Sequence, residues 1–146
     1  MRHNKLLFLV VLGWIYGRPL TGTEMKLCIC KFEAPRFSAV ARGGGIQGLV
    51  PVRVIYDSEG FPKEVNALEG HPILMGDAVK AVRHWQFCPS HDEARETEVV
   101  VNIRFRLEGK AANMWTPTEI RFESSGTVEV TTNPPEPPGP DYMKRD

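Results

Sequence analysis

At 146 residues, with 42% hydrophobic and 25% charged, the chain has room for one globular domain with tails around one modest core. Its 18 Lys and Arg balance 18 Asp and Glu, so no cationic excess is available to grip a phosphate backbone, and no nucleic-acid partner is expected. Three cysteines are too few for a disulfide scaffold, and Cys28 and Cys30, one residue apart, are too close for a zinc site.

Arg2, His3 and Lys5 precede an uncharged run from Leu6 to Tyr16. As helix that run rises roughly 17 Å against a hydrocarbon core of roughly 30 Å, which fits a secretory signal better than a membrane span. Residues 1–22 are therefore expected to be a signal peptide, with a short uncleaved N-terminal anchor as the alternative because no Ala-x-Ala site stands near Gly17 to Thr23. Residues 23–34 have no sustained period and read as a connector. Phe37, Val40 and Ala41 then recur at helical spacing for one or two turns, which Gly43 to Gly45 end.

Leu49 to Asp57 alternates, with Val50, Val52, Val54 and Tyr56 on one side of a pleat, and Asp57-Ser-Glu-Gly60 supplies a turn. Pro51 cannot donate a ladder bond, so its nitrogen should face an unpaired edge or a bulge. A return strand from Pro62 to Leu68 leads to Gly70-His-Pro72, where Pro72 suits a first helical position. Leu74, Ala78, Ala81, Val82 and Trp85 form the apolar stripe of the helix that follows, which should lie on the hairpin. After a polar loop, Glu96 to Leu107 is the strongest strand signal. Val99, Val101, Ile103, Phe105 and Leu107 face one way, and Glu98, Asn102, Arg104 and Arg106 face the other. Pro117 to Val130 reads as a second hairpin around Glu123 to Gly126, with Ile120 and Phe122 on one arm and Val128 and Val130 on the other. Residues 133–146 are Pro-rich and charged, hence extended or disordered.

No catalytic constellation assembles from these elements. His71, His84 and His91 fall on a turn, a helix and a loop without a ligand partner at metal spacing. Cys88 near His84 lacks an orienting acid or an oxyanion loop and reads as a small packed residue. At most one intramolecular disulfide can form. Cys28 or Cys30 would reach Cys88 only if the connector folds back beside the helix end, and no such bond is expected to be required for folding. Trp85 sits on the buried stripe and reads as core, and Gly43 to Gly45 is no phosphate loop because a strand follows. No enzyme activity, metal or cofactor is expected.

An ordered series of motifs resembles the C-terminal domain of the TonB family of energy transducers. The series comprises Ala39-x-Ala-Arg42, Ile46-Gln-Gly48, the alternating strand to Asp57, Gly60, Val65, Gly70-His-Pro72, the helix with Ala78, Ala81 and Val82, Trp85-Gln-Phe-Cys-Pro89, and a strand ending near Phe105. The resemblance covers roughly residues 35–107. It implies an α+β fold of ββαβ order, a three-stranded antiparallel sheet packed on one main helix, to which the hairpin at 108–132 would be appended. It also implies a periplasmic, non-enzymatic module, with inner-membrane anchoring as the alternative. Its sheet edge would pair with a strand from an outer-membrane transporter or another envelope protein, in support of energy-coupled transport. The docking edge implied is the third strand: Thr97, Glu98, Val99, Val100, Val101, Asn102, Ile103, Arg104 and Phe105. The competing expectation is a structural, self-associating envelope protein, including a homodimer, whose own hairpin fills that edge. Membrane contact is expected only through an uncleaved N-terminus.

Overall fold

Alternation places Val50, Val52 and Val54 on one side of a strand, and all three are fully buried. A computed structural model describes residues 27–89, 96–123, 125–137 and 139. The expected signal or anchor, the loop at 90–95 and the far end of the Pro-rich tail lie outside the described residues. Short strands β1 (Ile29–Lys31) and β4 (Gln86–Phe87) form a two-stranded sheet. The main sheet holds β2 (Gly48–Tyr56), β3 (Pro62–Ala67), β5 (Thr97–Leu107), β6 (Glu119–Glu123) and β7 (Thr127–Thr132), in the order β3-β2-β5-β7-β6. Helices α1 (Ala39–Gly43) and α2 (Pro72–Val82) complete the described elements.

The β2–β3 hairpin turns where expected. Asp57 Oδ1 accepts from the N–H groups of Glu59 and Phe61 at 3.1 and 2.9 Å, and Gly60 takes a φ of +90°. Gly60 is fixed by more than its dihedral, because an added Cβ would overlap the carbonyl of Phe87. Pro51 keeps its place in β2 at no cost to the ladder. Its carbonyl accepts from Leu68 N–H at 2.9 Å, so its nitrogen faces the β3 side just past Ala67, the last paired residue.

Helix α2 begins as read. The His71 imidazole accepts from Ile73 N–H, Pro72 occupies the first turn, and Leu74, Ala78, Ala81 and Val82 are buried against the sheet. Trp85, 1% exposed, lies just beyond the helix and donates from Nε1 to the Glu33 carbonyl at 2.7 Å. Its ring meets Phe32 at 4.9 Å and Phe87 at 6.3 Å. Tyr56 stacks on Phe87 at 4.6 Å.

The α+β architecture and its ββαβ order stand as expected, but the sheet has five strands and is mixed. Strand β7 lies parallel to β5, pairing Asn102 with Thr127 through Leu107 with Thr132, and β6 lies outside β7 as its antiparallel partner. Val128 and Val130 need an apolar neighbour, and the open side of β5 supplies one. Residues 108–118 step over the width of one strand, so the returning arm of the hairpin, rather than the leading one, lands beside β5. Within the Pro-rich segment, Pro135 bridges Ala112, and Glu136 N–H donates to the Ala112 carbonyl at 3.2 Å. The start of that segment is thus paired rather than free. No described helix is long and apolar enough to cross a membrane.

Candidate strand-pairing edge

Strand β5 alternates in its side chains and in its backbone groups. Its odd-numbered side chains enter the core, with Val101, Ile103 and Phe105 fully buried, while the even-numbered ones lie on the wet face. The backbone alternates as well. In the antiparallel ladder Tyr56, Val54, Val52, Val50 and Gly48 oppose Thr97, Val99, Val101, Ile103 and Phe105. The carbonyl of Pro51 is directed to β3, so even-numbered residues of β2 bond to β5, and odd-numbered residues of β5 bond back. The N–H and C=O groups of Glu98, Val100, Asn102, Arg104 and Arg106 therefore point away from β2.

Strand β7 takes only part of that row. Asn102 N–H donates to the Gly126 carbonyl at 3.4 Å, pairing continues to Leu107, and Glu108 N–H donates to the Thr132 carbonyl at 2.9 Å. Toward the start of β5, the outward groups of Glu98 and Val100 pair with no described strand. The nine residues expected to form one docking edge, Thr97 to Phe105, thus divide into three sets. Thr97, Val99, Val101, Ile103 and Phe105 direct their backbone groups to β2; Asn102 and Arg104 direct theirs to β7; Glu98 and Val100 keep a short edge that no described strand takes. The N–H groups of Asn102 and Arg104 point away from β2 and are taken up by the hairpin.

Ion pairs stitch the wet face. Arg53 bridges Glu64 at 3.2 Å and Glu98 at 3.0 Å. The hydrogen bond from Arg53 holds the Glu98 carboxyl below the ordinary range for glutamate, and Glu98 in turn raises Arg53. Glu129 on β7 accepts from Arg106 at 3.4 Å and lies 3.8 Å from Arg104, whose other partner is Glu123 on β6 at 3.3 Å. Those contacts tie the hairpin to β5 by side chain as well as backbone.

A second clasp comes from Arg42, which motif reading places in the lead-in helix without a role. Its buried guanidinium donates to three carbonyls: Asn133 at 2.6 Å, Ala112 at 3.2 Å and Asn113 at 2.8 Å. The signal available in sequence was an arginine within an otherwise apolar turn; the carbonyls it serves lie 70 to 91 residues away.

Cys88 is a disulfide partner of Cys28, not a free packed residue. The connector does fold back: Cys88 N–H donates to the Cys28 carbonyl at 2.9 Å and β1 pairs with β4. Of the histidines, His71 caps α2 and His84 lies 3.5 Å from Glu33, while His91 is outside the described residues. Among the described residues no three His, Cys, Asp or Glu side chains gather as a metal site.

A family described as the Gram-negative bacterial TonB protein C-terminal matches residues 33–107, a span that holds α1, β2, β3, α2, β4 and β5 and stops before the hairpin β6–β7. Protein tonB2 of Pseudomonas aeruginosa is 37% identical over 78 residues, a match that takes in 51% of this chain and 29% of that relative's length.

Proposed function

The chain belongs to the TonB C-terminal family, and from that membership we propose that it is a non-enzymatic binding module of the Gram-negative envelope, exported to the periplasm, that takes a partner strand at the edge of β5. The partner class is the periplasm-facing peptide of an outer-membrane transporter, and the role is to support energy-coupled transport. The observation that carries this reading is the pair of outward N–H and C=O groups at Glu98 and Val100. An added strand meets four ladder groups there, each bond contributing about 0.5 to 1.5 kcal/mol net, with little demand on side-chain identity. A partner strand extending past Val101 must displace β7.

A second reading is self-complementation, favoured by the register from Asn102 to Leu107 in which β7 already fills the edge. Titrating the full chain with synthetic transporter peptides in a calorimeter separates the two. Saturable binding that Val100→Pro abolishes and Val100→Ala retains supports strand addition, since proline deletes the outward donor without touching a β2 bond. Circular dichroism establishes that both variants fold. Binding unchanged by Val100→Pro refutes this edge. Binding seen only after β6 and β7 are removed favours self-complementation.

A further inference from the structure

All three cysteines meet at one place. Cys28 and Cys30 are separated by a single residue, and both sulfurs reach Cys88. Cys28 is bonded to it, with a Cα–Cα distance of 5.3 Å. The pairing of β1 with β4 slips here, since Ile29 opposes Phe87 and Lys31 opposes Gln86, leaving Cys30 as the extra residue of a bulge. Its exposed thiol lies 3.0 Å, Sγ to Sγ, from Cys88. A third sulfur thus touches one end of a formed disulfide.

We propose that this cluster is a thiol–disulfide exchange site in which Cys28 and Cys30 alternate as the partner of Cys88. The Cys30 thiol loses its proton, the thiolate attacks Cys88 Sγ, the Cys30–Cys88 bond forms and the Cys28–Cys88 bond breaks, with its electron pair leaving on Cys28. Cys28 then takes up a proton. One disulfide and one thiol stand on each side of the reaction, so no oxidant or reductant is consumed. Exchange moves the point of attachment on the connector by two residues, from Cys28 to Cys30, while Cys88 stays the common partner. It also changes which thiol faces an incoming reagent.

The test is a disulfide map of the oxidised full-length chain held at about pH 6 and about pH 8, quenched in acid and alkylated. Trypsin releases Leu27 to Lys31 with both connector cysteines, so fragmentation between Cys28 and Cys30 shows which carries the alkyl group. The expected result is label on both, with the mixture reached faster at pH 8 because the thiolate is the attacking species. Cys28→Ser is expected to close a Cys30–Cys88 bond and leave no alkylatable thiol. Label confined to Cys30 in the native chain at both pH values overturns the proposal, whether or not the variant folds.

Discussion

Trp85 joins three parts of the chain with one side chain: its ring lies between the connector and β4, and its indole N–H satisfies the Glu33 carbonyl. Trp85→Ala empties a large buried site and is expected to cost about 3 to 5 kcal/mol, read as a fall in the urea midpoint. An unchanged midpoint would contradict its place in the core. Asp57 supplies a pH dependence. Hydrogen bonds, first from Phe61 N–H and also from Glu59 N–H, lower its carboxyl below the ordinary aspartate value. A folded-state value below the unfolded one stabilises the fold above the unfolded pKa of about 3.9, and that contribution is lost as pH falls through the folded value. Thermal midpoints measured from about pH 6 down to about pH 3 should therefore fall less steeply in Asp57→Asn than in the native chain, and parallel curves would count against it. Both residues were legible in sequence, Trp85 by helical period and Asp57 by turn chemistry. Arg42 was not, because a side chain that bonds only to backbone carbonyls leaves no complementary residue to find.

Helix α2 shows how a local pattern fixes an element. Its His-Pro start, its buried stripe and its position on the hairpin all follow from spacing. Gly76 interrupts it on the exposed side, in space where an added Cβ meets nothing within 4 Å. Gly76→Ala should therefore stabilise the fold by about 0.5 to 1 kcal/mol by restricting the unfolded chain, measured as a higher urea midpoint. A lower midpoint would mean that the open face of α2 is occupied. Strands β2, β3 and β5 were equally legible, because alternation determines which side chains are buried. The arms of the hairpin β6–β7 were legible too, but its partner was not. Alternation says which side chains of a strand are buried and nothing about which edge its backbone will find. The parallel landing of β7 on β5 depends on how residues 108–118 cross over, which carries no period. The same limit applied to the cysteines, since bringing Cys28 to Cys88 depends on a three-residue strand, too short to read.

At the scale of the whole molecule, an extension beyond the family span has been built into the sheet, and it determines how much edge remains. Backbone pairing, the Glu129 ion pairs and the Arg42 clasp hold it there. Arg42→Met removes the donor shared by three carbonyls, each bond of a charged donor being worth about 1.5 to 3 kcal/mol. Amide exchange should then quicken at Ala112, Glu136 and β7 while β2 and β3 stay protected; uniform acceleration would mean that the clasp supports the domain rather than the extension. Residue-resolved amide exchange with and without transporter peptide tests whether a partner strand pairs with Glu98 and Val100. The Glu98 and Val100 amides are expected to exchange readily in the free chain and to become protected on binding, with the β3 and β6 edges unchanged. Protection that appears on β3 or β6 while Glu98 and Val100 remain unprotected would contradict it.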